Sequence, residues 1–354
     1  MIGIRADANS IIATGHVMRC LTIAKALMDM GEEVAFFIAD EESKKLLCAD
    51  PRANKLNVVV LGSDYQDMEG EVEVLEKELK ARNITMLLVD SYSVTISYFE
   101  TLKNICRVAY LDDLNKETYP VDMLINYSGY ASNMGYEEAY AGSKDAFGKS
   151  TRLLLGLNYA PLREQFYHEG PSDKNCDTMN ILLSTGGADT CGMLMPILEE
   201  ADKNGLFEDA IWHVVVGDYV SNPEEISSFA GKREAVVIHK SVKNMAELMN
   251  KCQLAVIAAG TMLTECAALR LPALFYQIAD NQKINVLYWS KVSGMTFAGN
   301  VLEDGKDAVI TNICDNVKEL TNSMDKLEKK SQSLAGITDG RGAIRIAKAL
   351  IEEK

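Results

Sequence analysis

Near the start of the chain, the segment Arg5-Ala6-Asp7-Ala8 through Thr14-Gly15-His16-Val17-Met18-Arg19 brings an acid, an imidazole and guanidinium groups together between an apolar run and a helix-forming one. His16 falls in the first turn of that helix, where the positive end of the helix dipole disfavours an imidazolium and favours a neutral ring that can act as a base. A histidine in that place serves equally as a capping or ligand-orienting group. Thr14 is positioned to cap the helix, and Gly15 lets a ligand approach the backbone. Acidic residues follow two later apolar runs, in Val89-Asp90-Ser91-Tyr92 and Leu111-Asp112-Asp113-Leu114. Each of these carboxylates suits helix capping as well as ligand binding.

Two further segments have the chemistry of phosphate and sugar recognition. In Ser184-Thr185-Gly186-Gly187-Ala188-Asp189 the paired glycines let backbone N–H groups face a phosphate, although a glycine pair also makes a plain tight turn. In Ala258-Ala259-Gly260-Thr261-Met262-Leu263-Thr264-Glu265 a loop of small residues opens a helix. There Glu265, one turn in, can reach ribose hydroxyls while the loop amides meet phosphate. Asn281 and Gln282 offer neutral donors and acceptors to sugar or phosphate oxygens, or cap a helix.

What must position these groups is an alternation of short apolar runs with helical periodicity. The expected strands are Ile2 to Ala6, Val34 to Ile38, Val58 to Leu61, Met86 to Val89, Val108 to Leu111 and Met123 to Ile125. Runs that are apolar throughout suit parallel strands covered on both faces. A polar stretch from Pro161 to Lys174 reads as a linker. Beyond it the pattern repeats, with strands expected at Met179 to Leu183, Ala210 to Val216, Ala235 to Ile238, Leu254 to Ala258 and Ala273 to Tyr276. This predicts two doubly wound α/β domains, residues 1–165 and 175–335, facing across a cleft. A final amphipathic helix within 336–354 is expected to pack back across the junction. Open α/β sheets bind ligands outside the carboxyl ends of their strands, which is where every segment named above falls. The stretch from Ser128 to Lys149 fits either a lid or a surface excursion.

The bulk numbers agree with two cored domains. The chain has 354 residues, 47% of them apolar and 25% charged, at a prior of about 100 to 200 residues per domain. Its eight cysteines form no CxxC pair and read as buried free thiols. No leader and no membrane-length apolar run is recognised, so the cytoplasm is the expected compartment. A net charge of −15 opposes nucleic-acid and anionic lipid partners, and leaves an anionic nucleotide to be bound by local helix and backbone dipoles. The four histidines, His16, His168, His213 and His239, show no metal-ligand spacing, and neither metal nor cofactor is expected.

Taken together, Arg5-Ala6-Asp7-Ala8, Gly15-His16-Val17-Met18-Arg19-Cys20-Leu21, Asp90-Ser91-Tyr92, Leu111-Asp112-Asp113, Pro161-Leu162-Arg163-Glu164-Gln165-Phe166, Gly186-Gly187-Ala188-Asp189 and Ala279-Asp280-Asn281-Gln282 resemble one family. It is that of the UDP-2,4-diacetamido-2,4,6-trideoxy-β-L-altropyranose hydrolases of pseudaminic acid biosynthesis, close to the spore-coat polysaccharide proteins. The resemblance covers about residues 1 to 300, and the His16 segment is its most specific part. It implies a GT-B fold like that of the MurG glycosyltransferases, and metal-independent hydrolysis at the anomeric carbon with release of UDP. On this matching His16 is the catalytic histidine and Asp7 lies beside the reacting centre. Arg5, Gly15 and Asp112, in the segments at the strand ends, are expected as further substrate contacts. Tyr92, Asn281 and Gln282 would line the sugar and diphosphate region. Gly186 and Gly187 would form the diphosphate loop, Gly260 and Thr261 the uridine loop, and Glu265 would take the ribose. Ala13, Ala259 and Met262 depart from the family pattern, and bear on which sugar is accepted.

The implied reaction has His16 taking a proton from water as UDP leaves from the opposite face, with inversion. Three competing readings keep the ligand. They are a glycosyltransferase in which His16 deprotonates an acceptor hydroxyl, an epimerase using Asp112 and Asp113, and a silent binding subunit.

Overall fold

Branched and aromatic apolar residues fill the short runs of the first half, and in the computed structural model each run pairs in parallel with its neighbours. The structure describes residues 1–9, 12, 14–142, 149–167, 178–217 and 219–354. The first sheet comprises β1 (Ile2–Ala6), β2 (Val34–Ile38), β3 (Asn57–Val60), β4 (Met86–Asp90), β5 (Arg107–Leu111), β6 (Met123–Asn126) and β7 (Arg152–Leu155). Its order is β3-β2-β1-β4-β5-β6-β7. Every residue of β1, β2 and β4 is buried, as expected for strands covered on both faces. The second sheet comprises β8 (Met179–Ser184), β9 (Ala210–Val216), β10 (Val236–Lys240), β11 (Leu254–Ala258), β12 (Ala273–Gln277) and β13 (Met295–Asn300), in the order β10-β9-β8-β11-β12-β13. Both are doubly wound, with the strand order reversing at β1/β4 and at β8/β11.

Two strands escape the sequence pattern, and both are edge strands. β7 is Arg-Leu-Leu-Leu, without the β-branched residues that mark a strand. β13 has Gly299 at φ +135°, and the register slips between Phe275 and Tyr276 where it meets β12.

Each sheet organises one unit. The first is Met1–Arg163 together with Arg341–Lys354, and the second is Glu164–Gly340. The helix α1 (Gly15–Asp29) buries Val17, Cys20, Leu21 and Ala24 in the first unit's core. It ends in a Schellman arrangement: Gly31 N–H donates to the Met28 carbonyl (3.0 Å) and Glu32 N–H to that of Leu27 (3.1 Å), with Gly31 at φ +86°. The helix Gly342–Glu353 lies on α1, adding Ala343, Ile346, Ala347 and Leu350 to the same cluster. Each such fully buried Ile or Leu contributes about 1.5–3 kcal/mol of burial. Gly342 permits the close passage of the chain, since a Cβ there would stand 2.2 Å from the Ala160 carbonyl oxygen.

Two expectations need correction. Thr14 occupies the N-cap position of α1 but makes no side-chain cap bond, because its backbone (φ −102°, ψ 0°) is not in the extended region that aims a hydroxyl at the first amides. Every described cysteine is a free thiol, yet Cys48 is exposed and Cys106 and Cys191 are only half-buried. In the described part of 128–149, Tyr136 and Tyr140 are 1% and 4% exposed and anchor the stretch in the hydrophobic core of the first unit, while Ser132, Asn133, Glu137, Glu138, Ala141 and Gly142 are exposed. Residues 143–148 of that stretch, residues 168–177 of the linker region and Ala13 lie outside the described residues. Among the described residues no helix is long and apolar enough to cross a membrane.

Candidate active site

The reversal of strand order between β1 and β4 opens a crevice at the carboxyl ends of those strands. The chain leaving β1 enters α1 there, and β4 ends there on Asp90. His16 and Arg19 stand one helical turn apart, on the same face of α1, and both meet Asp90. His16 Nδ1 lies 2.6 Å from Asp90 Oδ1. Arg19 Nη2 also stands 3.1 Å from the same Nδ1. A neutral ring that donates to the Asp90 carboxylate carries its proton on Nδ1 and leaves Nε2 as the acceptor. Arg19 grips the same carboxylate with both arms of its fork, Nε to Oδ2 and Nη2 to Oδ1, each at 2.5 Å. Asp90 is 1% exposed. Burial alone would raise its carboxyl, but the Arg19 charge and hydrogen bonds, joined by the His16 bond, hold it well below the usual carboxylate range.

The other side of the imidazole meets Tyr92. The two rings are edge to face, with centroids 4.8 Å apart, and the half-exposed Tyr92 donates its hydroxyl to Asp113 Oδ2 at 2.9 Å. Desolvation and the Asp113 charge push the phenol well above its ordinary value, which keeps it a donor. Asp113 Oδ2 also receives Arg19 Nη1 at 3.4 Å, and that nitrogen donates to the Tyr127 hydroxyl at 2.9 Å. His16 is 8% exposed, while Gly15 is exposed and a Cβ there would meet nothing within 4 Å.

Other residues expected at this site occupy different places. Arg5 is fully buried, with Nε and Nη2 on the two Glu71 oxygens at 2.8 and 2.6 Å and Nη1 on Asp7. Asp7 also accepts from the Ala39 amide at 2.7 Å and is 3% exposed. Arg5 is therefore engaged inside the first unit with carboxylates of its own chain. Asp112, 2% exposed, accepts from the amides of Leu114 (2.9 Å) and Asn115 (3.1 Å), so it closes its own turn. Burial raises its carboxyl despite those amides.

In the second unit, the loops after β8 and β11 flank a cavity of about 360 Å³ whose wall includes Gly186, Gly187, Gly260, Thr261 and Gln282. Gly186 is at φ +87°, a conformation that turns successive amides toward one side of the loop. Gly217 packs against this loop so closely that a Cβ would stand 2.3 Å from the Gly187 carbonyl oxygen, and Tyr219 N–H donates to that same oxygen at 3.1 Å. Tyr219, 81% exposed, stands at the cavity's edge. Asp189 instead binds the amides of Met193 (2.9 Å) and Leu194 (3.1 Å) at the start of the helix Leu194–Lys203. Gln282 accepts from the Ile278 amide at 2.9 Å. Glu265 and Asn281 do not line the cavity.

Sequence reading missed the role of Arg19 and left open which group orients His16. The signals present were the one-turn spacing of His16 and Arg19 and an aspartate closing a buried strand. A second pairing was also hidden by sequence distance. His213 Nδ1 and His239 Nε2, on neighbouring strands β9 and β10, are 3.0 Å apart, and Asn180 Oδ1 holds the far nitrogen of His213 at 2.9 Å. Among the described residues no group of three or more His, Cys, Asp or Glu side chains is arranged to hold a metal ion. His168 lies outside them.

Two doubly wound α/β domains of this kind make the chain a GT-B protein, and the solved structures it matches have that architecture. Acinetobacter baumannii MurG superposes with a TM-score of 0.67 at 12% identity, covering 99% of both chains. Neisseria meningitidis UDP-GlcNAc 2-epimerase, bound to UDP-GlcNAc, gives 0.64 at 11%, covering 99% of this chain and all of that one (100%). At such identities the likeness establishes the fold. No family model matches the chain.

Among curated relatives, an uncharacterised protein of Methanocaldococcus jannaschii is 25% identical over 305 residues, 82% of this chain and 59% of that protein. The chain thus spans less than two thirds of that relative's length. A Campylobacter jejuni protein named UDP-2,4-diacetamido-2,4,6-trideoxy-β-L-altropyranose hydrolase is 24% identical over 292 residues, 81% of this chain and 95% of that one. The spore coat polysaccharide biosynthesis protein SpsG of Bacillus subtilis is 22% identical over 286 residues, 79% and 78% of the two chains.

Proposed function

We propose that this chain hydrolyses a UDP-linked diacetamido sugar, UDP-2,4-diacetamido-2,4,6-trideoxy-β-L-altropyranose or a close relative, in the making of a nonulosonic acid such as pseudaminic acid. The observation that carries the proposal is the bond from His16 Nδ1 to Asp90, which leaves Nε2 as a base beside an exposed glycine at the β1/β4 crevice. His16 Nε2 removes a proton from water, the water oxygen bonds to the anomeric carbon, and the bond from that carbon to the diphosphate oxygen breaks. UDP departs with the bonding pair, and the sugar inverts. A base so placed contributes typically 10²–10⁴-fold. UDP is a good leaving group, so the reading invokes no metal.

The second unit takes the nucleotide in this reading. Its cavity between the Gly186-Gly187 and Gly260-Thr261 loops has the glycine backbone that phosphate oxygens require, and Gln282 adds a side-chain amide. Glu265 and Asn281 remain the proposed contacts to ribose and sugar, and Asp7 the proposed neighbour of the reacting centre, while Arg5 and Asp112, engaged within their own unit, are not proposed as substrate contacts. The free thiols suit a reducing cytoplasm. The name of the Campylobacter jejuni relative points the same way, and a solved structure sharing the fold holds a UDP-sugar.

The test is a time course with that substrate and excess EDTA, following free UDP and the anomeric configuration of the released sugar by NMR. Stoichiometric UDP with inverted free sugar, and no acceptor present, is the expected result. UDP appearing only with an added acceptor would reassign the chain to glycosyl transfer, and isomerised UDP-sugar without UDP to epimerisation.

A further inference from the structure

The contacts round His16 form a closed circuit. His16 bonds Asp90, Asp90 takes the Arg19 fork, Arg19 reaches Asp113, Asp113 holds the Tyr92 hydroxyl, and the Tyr92 ring returns edge-on to His16. Arg19 is the member of this circuit with the most bonds. Its Nε and Nη2 fix both Asp90 oxygens, Nη2 also stands 3.1 Å from His16 Nδ1 itself, its Nη1 spans Asp113 and Tyr127, and its guanidinium carbon lies 5.5 Å from the Tyr127 ring centroid. Side-chain exposure is 13%, so these bonds face little competition from water.

We propose that Arg19 is the positioning residue of the His16 base, holding Asp90 and, through Asp113, Tyr92 so that the ring has one tautomer and one orientation. The idea rests on the hydrolase reading for its kinetic consequence but not for its structural one. A carboxylate free to rotate about its χ angles could offer either oxygen to the ring or turn away from it. The bidentate fork removes that freedom, because both oxygens are already engaged in the plane of the guanidinium. The same guanidinium ties Asp113, and hence the Tyr92 hydroxyl, to the frame that holds Asp90. A lysine would keep the charge and lose the fork, which makes charge and geometry separable.

The experiment combines kinetics with spectroscopy on the full chain carrying Arg19→Lys or Arg19→Met. Long-range ¹H–¹⁵N spectra of the histidine rings, with the His16 signals assigned by their loss in His16→Gln, report the tautomer without reference to activity. The wild-type neutral ring should show Nδ1 protonated and Nε2 bare, while both variants should show a mixture of tautomers. UDP release should fall at least about 10-fold in kcat with KM nearly unchanged, since the substrate contacts remain. A single Nδ1–H tautomer persisting in folded Arg19→Lys would overturn the assignment, as would a loss confined to KM. If Arg19→Met does not fold, Arg19→Lys decides alone. If the wild type releases no UDP from the sugar nucleotide, the hydrolase reading fails, and the tautomer comparison still decides the role of Arg19.

Discussion

Asp90 offers one oxygen to His16 Nδ1 at 2.6 Å and the other to Arg19 Nε at 2.5 Å, so a single buried carboxylate orients the His16 ring and is itself held in place. Asp90→Asn can present an N–H to the ring instead of an oxygen, which favours the tautomer with Nε2 protonated. The expected outcome is a fall in kcat of about 10²–10⁴-fold, comparable to His16→Gln, with little change in KM. Measuring UDP release at saturating substrate checks it, and an Asp90→Asn enzyme of normal kcat would remove Asp90 from the mechanism.

The same carboxylate links pH to stability. Its folded pKa lies below the unfolded value of about 3.9, so its ionisation stabilises the fold above that pH and the contribution is lost as pH falls toward the folded value. Urea unfolding of wild type and Asp90→Asn should therefore give a stability gap that narrows between pH 5 and pH 3. A gap that widens over that interval would contradict the assigned partners.

Gly217 has no room for a side chain against the Gly187 carbonyl. Gly217→Ala should push the Gly186-Gly187 loop out of place and weaken UDP binding at least about 10-fold, by calorimetry, while cooperative melting is retained. Unchanged affinity in a folded variant would place the nucleotide elsewhere.

Tyr136 donates its hydroxyl to the Asp112 carbonyl at 3.1 Å and accepts from Asn126 Nδ2 at 3.1 Å, at 1% exposure. Tyr136→Phe leaves both groups without this partner and should destabilise the protein by about 1–3 kcal/mol in chemical denaturation. Because Tyr136 is anchored in the first unit's hydrophobic core, kcat should be nearly unaffected. A large kcat loss at normal stability would instead argue for a moving element.

Strands such as β1, β2 and β4 are legible because burial on both faces demands continuous apolar runs, and the following polar residues then mark the ligand end of each sheet. The glycine loops after β8 and β11 are legible for the same reason. What sequence could not supply was pairing across distance. His16 and Asp90 are separated by 74 positions and meet only because β1 and β4 are parallel neighbours, with Ala6 opposite Asp90. Arg5 belongs to the Arg5-Ala6-Asp7-Ala8 segment that carries the family resemblance, and only the fold brings Glu71, from the helix Met68–Ala81, against it. Asp112 and Asp113 are adjacent and look alike, but one faces its own turn amides and the other Tyr92 and Arg19.

The first unit is not contiguous in the chain, and this sets an order of events on the ribosome. The side chains of Ala343, Ile346, Ala347 and Leu350 that cover α1 are translated only after the whole of Glu164–Gly340. During synthesis the second unit can complete its core while the helix bearing His16 still shows an uncovered apolar flank. For that interval the flank of α1 that the helix Gly342–Glu353 covers is exposed on the nascent chain, so the first unit's core closes only after the second unit has been made.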